Sequence, residues 1–525
     1  MNPLKIYLLD LTYNTTTLST EAFPINIGYV AAYAKEQFGQ NIEISLFKYI
    51  DDVECELKRS PPDILGVSNY AWNYRIGCEM ANVFSKLNPN GLVVFGGPNF
   101  PVDLPSQERF FRENPIVDIY IPTEGEVGFT NIVQKSLEAK SHKEIRNKVL
   151  SQPIDGCITR SSDGKLHYTI PEIRIKKLDE IPSPYLTGLM DKFFDGKLSP
   201  MIQTNRGCPF HCTFCTDGRD SVNQINSFSL DRISAEINYI ANNAPLETDN
   251  LLISDLNFGM FPKDSAVCDF IDESKKKFGY PKRVKCTTGK NQKKRIISNI
   301  EKLRGSIKMD MAVQSMTPEV LKNVRRDNIS TDHLLAIGPA IKKTGVTLSS
   351  DIIAGLPGET FESTLQTVKD IIHADVDEVF IWTLMMLDGS ELNVPKEREK
   401  WNIKTKYRII PRDFVKLSSG KVITEIEEVG VSTNTLSFED YVELRLLALV
   451  VKVTKTGFVY DPILKFLKEQ NIDVYDLIYN MTYRSNHASE NIKKLFNTFR
   501  KASIDELWDS PEEIEKNYQN DIEYE

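Results

Sequence analysis

Three cysteines stand in one short run, Arg206-Gly207-Cys208-Pro209-Phe210-His211-Cys212-Thr213-Phe214-Cys215, spaced C-x3-C-x2-C. Thiolates at this density are metal ligands. A cubane iron–sulfur cluster has four irons, so three thiolates hold three of them and leave the fourth open to a chelating small molecule. Zinc is a competing reading, but it needs a fourth ligand. His211 is the nearest candidate, and it adjoins Cys212, where turning toward the same ion is awkward. A chance trio of buried cysteines is the third reading.

The segments around this run alternate between short apolar stretches and helical patterns. Strands are expected over Met201–Asn205, Asn250–Ser254, Arg283–Thr287, Ile307–Val313, Thr347–Ile353 and Glu378–Thr383. Six such units build a partial parallel barrel, with its site at the carboxyl ends of the strands. Those ends carry Asp255 and Asn257, Gln314-Ser315, Gly355-Leu-Pro-Gly358-Glu359 and Trp382-Thr383. Taken singly, each is also an ordinary helix cap or turn.

Ahead of the barrel, strands are expected over Lys5–Leu9, Ile42–Phe47, Asp63–Ser68, Leu92–Phe95 and Asp118–Ile121. Ile27, Val30, Ala31, Ala34 and Phe38 recur at helical spacing between the first two, and Gly39 supplies a stop. Repeated strand–helix–strand units give a doubly wound parallel sheet, whose ligands bind outside the carboxyl ends of the strands. Ser68, Gly96-Gly97 and Thr123-Glu124-Gly125-Glu126 stand at those ends.

Over residues 1 to about 390 this pattern resembles the radical S-adenosylmethionine (radical SAM) superfamily, in the subgroup with an N-terminal cobalamin (B12)-binding-like domain. The resemblance implies a 4Fe–4S cluster on Cys208, Cys212 and Cys215. It implies an S-adenosylmethionine site with Phe214 near the adenine, Asp255 and Asn257 at the amino group, and Gln314 and Ser315 near ribose and sulfonium. Gly355 and Trp382 complete that site. Ser68, Gly96 and Gly97 correspond to the positions that hold cobalamin's nucleotide tail. One departure matters: the D-x-H-x-x-G loop that carries a cobalt-ligating histidine is missing. Asp10 is present, but Thr12 and Thr15 stand at the histidine and glycine positions. Cobalamin would then lack a histidine ligand, or the domain has kept the fold and lost the cofactor.

The expected organisation is a Rossmann-like cobalamin-binding-type domain over 1–140, a linker strap with a hairpin over 141–199, a partial (β/α)6 radical SAM barrel over 200–390 and a mostly helical, substrate-shaping domain over 391–525. Ile158–Arg160 and His167–Ile170 flank a turn at 161–164, and Lys177–Tyr185 is proline-rich. Asp440–Val453, Ile463–Leu467 and Ile492–Phe499 read as helices, and the acidic tail after Ser503 reads as a solvated end.

Composition narrows the class. At 525 residues, 41% hydrophobic and 26% charged, the chain is an ordinary globular one, and its net charge of −9 gives no nucleic-acid footprint. No apolar run approaches the ~20 residues of a membrane span. The start reads as a strand rather than a signal peptide, so a cytoplasmic home is expected. Cys55, Cys78, Cys157, Cys268 and Cys286 are scattered singly, which argues for one cluster only. A basic group at Lys282, Arg283, Lys285, Lys290, Lys293, Lys294 and Arg295, with Arg325 and Arg326, is either a solvated helix face or a contact for a phosphate-bearing substrate.

The resemblance then implies an enzyme: S-adenosylmethionine cleaved to a 5′-deoxyadenosyl radical, with cobalamin-dependent methylation of an unactivated carbon of a small molecule. A flavodoxin or ferredoxin would donate electrons. The sequence singles out no catalytic acid or base. A non-methylating radical oxidation or rearrangement is the alternative enzyme, and a non-catalytic metal-binding scaffold the alternative class.

Overall fold

The computed structural model describes residues 2–161, 164–170, 172–289, 292–303, 306–326, 341, 345–484 and 488–518. Lys290, His333, His487 and the turn residues Ser162 and Asp163 lie outside them.

The first sheet holds β1 (Leu4–Thr12), β2 (Ile42–Tyr49), β3 (Ile64–Ser68), β4 (Leu92–Gly96) and β5 (Ile119–Ile121), all parallel, in the order β2-β1-β3-β4-β5. Helices cover both faces. Ile6, Leu8, Ile64 and Val94 pack with Ala31, Phe129 and Ile132 on one side. Tyr7, Leu9, Leu65 and Val67 pack with Val53, Ile76 and Phe84 on the other. Burial on both faces is why these strands read as unbroken apolar runs. The strand order reverses between β1 and β3, which opens a crevice at their carboxyl ends.

The expected strap is more integrated than a linker. Its hairpin, β6 (Ile158–Arg160) and β7 (Leu166–Tyr168), pairs antiparallel onto β5 and extends the sheet to seven strands.

The barrel begins with β8 (Met201–Ile202). A short antiparallel pair, β9 (Asn205–Arg206) and β10 (Asn226–Ser227), follows where one strand over Met201–Asn205 was expected. β11 (Asn250–Phe258) and β12 (Arg283–Thr288) join β8 in a parallel sheet. β13 (Met309–Asp310), β14 (Leu348–Ala354) and β15 (Glu378–Thr383) form a second. A parallel bridge from Val284 to Ile307 joins the two, so six strands follow one another in chain order.

The C-terminal part contains the helices Phe438–Lys455, Asp461–Glu469, Val474–Tyr483, Glu490–Asp505 and Pro511–Tyr518. It also contains a long hairpin, β16 (Lys404–Lys416) and β17 (Val422–Ser432), that sequence reasoning missed. β17 is tied to the barrel, with Gly430 N donating to Leu384 O at 2.8 Å and Met386 N to Glu428 O at 2.9 Å. The far end of the hairpin inserts Val415, Leu417 and Ile423 into the apolar layer of the first domain. The tail is not a loose end either. Ile514 is fully buried, Trp508 pairs with Tyr407, and Glu515 meets Arg75.

Candidate active site

The cysteines follow directly on β9, the short strand after β8. Gly207 has φ +99°, and a Cβ there would lie 2.3 Å from Gln224 O, so the loop can press against residues 222–224 only with glycine. Cys208 N donates to Val222 O at 3.1 Å. Two donors point at the sulfurs: Asn257 Nδ2 is 3.4 Å from Cys208 Sγ, and Arg326 Nη1 is 3.6 Å from Cys212 Sγ. Donors to sulfur stabilise thiolate and anionic cluster alike. Burial pushes the Cys215 thiol up to about 12, so thiolates here call for a cationic partner such as iron.

Among the described residues no three Cys, His, Asp or Glu side chains converge on a single-ion site. His211 Nδ1 instead faces Asp220 at 3.0 Å. The sulfur-directed donors fit thiolates that hold an anionic cluster. Arg326 is also a correction. It does not belong to a solvated face but is buried, held by Val313 O at 3.1 Å and by Ala312 O, with its guanidinium 5.7 Å from the Phe214 ring. Lys282, Lys285 and Arg325 are exposed and paired with Asp249, Glu21 and Glu391.

Gln314 takes φ +67° while its backbone bonds to Asp351 O and Ile353 N, and its Oε1 is buried without a partner. Ser315 donates to Glu359 Oε1 at 3.1 Å. Burial lifts the Glu359 carboxyl to about 8. Gly355 has φ +92° and opens the turn after β14. Trp382 donates from Nε1 to Asp351 at 2.8 Å, stacks on Phe380 and leaves its indole 54% exposed. Phe214 packs against the cluster that holds Leu356 and Leu384. Asp255 and Asn257 are turned instead toward the cysteine loop, Asp255 onto Thr204 and Asn205.

Between the two domains lies a cavity of about 650 Å³. One wall is the crevice of the first sheet, with Asp10, Lys48, Ser68, Tyr70, Gly96 and Gly97. The other is the barrel mouth, with Gly207, Thr216, Asp217, Ser254 and Leu256. Gly97 has φ +130°, and a Cβ there would meet Asn69 O at 2.6 Å, so the loops after β3 and β4 close up only with glycine. Ser68 donates to Asp10 at 3.0 Å and accepts from Asn26 Nδ2 at 3.0 Å. Lys48, fully buried, pairs with Asp10 at 3.1 Å. Thr12 and Thr15, at the lost histidine and glycine positions, bond to Thr20 N and Phe414 O. Arg206 joins the walls, reaching Glu126 at 2.7 Å, Glu124 at 3.4 Å and Gln203 at 2.8 Å.

Lys48, Arg206 and Arg326 were missed as site residues. A single cation near the end of an apolar strand, and arginines flanking a cysteine loop, were the available signals.

Residues 202–371 match the model of the Radical SAM superfamily. A cobalamin-dependent radical SAM methyltransferase, TokK of Streptomyces tokunonensis, is 28% identical over 398 residues, 73% of this chain and 55% of its own. The 2-(S-pantetheinyl)-carbapenam-3-carboxylate methyltransferase of Streptantibioticus cattleyicolor is 24% identical over 458 residues, 84% of this chain and 63% of its own. The chain thus spans less than two thirds of either relative. In fold it is similar to the radical S-adenosylmethionine methyltransferase TsrM of Kitasatospora setae, solved with cobalamin and a 4Fe–4S cluster. The TM-score is 0.60 at 12% identity, covering 96% of this chain and 100% of TsrM. It is equally similar to the cobalamin-dependent S-adenosylmethionine radical enzyme OxsB, with TM-score 0.60 at 15% identity, covering 98% of this chain and 78% of OxsB. Residues 202–371 thus carry a match to the Radical SAM superfamily, and the chain as a whole is similar in fold to solved proteins named as cobalamin-dependent or cobalamin-bound radical S-adenosylmethionine enzymes.

Proposed function

We propose that this chain is a cobalamin-dependent radical SAM methyltransferase acting on an unactivated carbon of a small molecule. One observation carries the reading: the crevice of the first sheet and the residues that flank the cysteine run, Gly207, Thr216 and Asp217, line the same cavity. Two cofactors whose reactive faces must meet one substrate would need such a shared space.

The chemistry supplied by the bound groups is reductive cleavage of S-adenosylmethionine at the cluster and delivery of a methyl group from cobalamin. The chain's own residues hold and orient. Cys208, Cys212 and Cys215 would ligate the cluster, and Asn257 and Arg326 donate to two of their sulfurs. Phe214, Gln314, Ser315, Gly355 and Trp382 would line the S-adenosylmethionine site. Gln314 Oε1 is a buried acceptor waiting for a donor. Ser68, Gly96 and Gly97 would receive the nucleotide tail of cobalamin, with Asp10 and Lys48 fixing Ser68 from behind. Thr12 offers no imidazole, and no described histidine lines the cavity.

The proposal extends to a reducing cytoplasm, consistent with eight free cysteines, and to a flavodoxin or ferredoxin as electron donor. No described helix is long and apolar enough to cross a membrane. OxsB, named a radical enzyme rather than a methyltransferase, favours keeping non-methylating radical chemistry as the second reading.

The test is anaerobic purification with hydroxocobalamin, recording the absorption spectrum with iron and cobalt per chain. Near-stoichiometric cobalt beside about four irons supports the reading. Iron without cobalt refutes the methyl-transfer part and promotes the second reading.

A further inference from the structure

We propose that Asp255 is a positioning residue that anchors the cluster loop, and not a contact of S-adenosylmethionine. The inference rests on the radical SAM reading above but departs from the role that the resemblance gives this position.

The carboxylate is fully engaged. Oδ1 accepts the backbone amides of Thr204 at 2.7 Å and Asn205 at 3.2 Å. Oδ2 accepts the Thr204 hydroxyl and Asn205 Nδ2, the latter at 2.8 Å. Four donors occupy the four lone-pair directions of a carboxylate. The residue is 2% exposed, so no face is left for a ligand's ammonium. Lys263 closes the arrangement by donating to Thr204 O at 2.6 Å. Thr204 is therefore gripped at its N–H, its hydroxyl and its C=O.

The grip falls on the residues that launch the cysteine run. Asn205 is three residues before Cys208, and the intervening Gly207 is wedged against Val222 and Gln224. Asn257 stands two residues beyond Asp255 on β11, hence on the same side of the strand. Its amide donates to Cys208 Sγ at 3.4 Å. β11 thus holds the loop at its backbone through Asp255 and at its first sulfur through Asn257.

The two roles predict opposite results in one experiment. Full-length wild type, Asp255→Asn and Thr204→Val are reconstituted anaerobically with iron and sulfide. Iron per chain is read before and after a chelator challenge. The reduced cluster's EPR signal is read with and without S-adenosylmethionine. Outer-shell partners of a metal site are worth about 10-fold or more in metal retention. Asp255→Asn is expected to lose iron to the chelator about 10-fold faster than wild type, while the clusters that remain still change their EPR signal on adding S-adenosylmethionine. Thr204→Val, which removes only the hydroxyl donor, is expected to lose iron at an intermediate rate, and it carries the test if Asp255→Asn does not fold. Wild-type iron retention in the variants, or an intact cluster whose EPR signal no longer responds, overturns the inference alone. A wild-type chain that takes up no iron overturns the functional reading and this inference together.

Discussion

Replacing Glu359 by Gln tests whether a buried carboxyl at the barrel mouth is neutral. Glu359 is fully buried on the turn after β14. Ser315 donates to its Oε1 at 3.1 Å, and its Oε2 has no partner. Burial lifts the carboxyl from its usual 4.5 to about 8. In the unfolded chain it returns to its usual value. An acid whose folded pKa is raised takes up a proton on folding throughout the window from 4.5 to about 8. Its contribution is favourable below that window, and wild type loses stability as the pH climbs through it. The slope approaches about 1.4 kcal/mol per pH unit, giving about 3–4 kcal/mol between about pH 5 and 8. Gln has no proton to take up and keeps the acceptor for Ser315. It adds an unpartnered N–H, a pH-independent penalty of about 1 kcal/mol. Paired urea melts of Glu359→Gln and wild type across that range cancel every other titrating group. The variant's relative stability should grow by about 3 kcal/mol from about pH 5 to 8, with the variant ahead at the alkaline end. A flat difference, or a variant that falls behind as the pH rises, means Glu359 is ionised in place and the burial argument is wrong.

Glu425 on β17 accepts Arg75 N and Ile76 N at 3.0 Å and the Tyr13 hydroxyl at 2.7 Å, capping the helix Tyr74–Leu87 from another domain. Glu425→Ala leaves these donors buried and unpaired and should cost about 3 kcal/mol, read as a lower melting temperature and faster amide exchange at residues 75–77. Arg326→Gln withdraws a cation from Cys212 and should move the cluster's reduction potential to more negative values at unchanged iron content. An EPR-monitored titration reads this, and an unmoved potential contradicts it. Gly97→Ala places a Cβ 2.6 Å from Asn69 O at a left-handed φ, so it should weaken cobalamin uptake several-fold while iron per chain stays at the wild-type level.

The parallel strands were legible because burial on both faces writes them as unbroken apolar runs, and the cysteine run was legible because its chemistry is local. What escaped reading is non-local. β17 buries Glu425 and Glu427 and leaves Ile426 half-exposed, which inverts the alternation that marks a strand. Those carboxylates are buried because partners far away in sequence receive them: the start of the helix Tyr74–Leu87 for Glu425, and Arg408 at 2.6 Å for Glu427. Arg326 read as solvated because nothing near it in sequence says that Val313 O and Cys212 Sγ await a donor. Asp255 and Asn257 were recognisable as strand-end polar residues, but their partners lie about fifty residues away.

These hidden contacts share one consequence. On the proposed reading, a radical formed at the cysteine loop is useful only if the other cofactor faces it at a fixed distance, and the two walls belong to different domains that share one apolar core. Apolar packing alone tolerates sliding, whereas directed charge contacts do not. Arg206 is such a contact. It stands two residues before Cys208 and reaches Glu124 and Glu126, the residues that follow β5. Burial works against its charge, yet the two carboxylates dominate and hold it charged. The cluster loop is thereby registered against the wall that carries Gly96 and Gly97. The hairpin also ties the domains, because β17 is bonded to the residue after β15, Leu384, and to the first domain through Glu425. Arg206 and the hairpin thus add directed contacts between the two domains to the apolar core that they share.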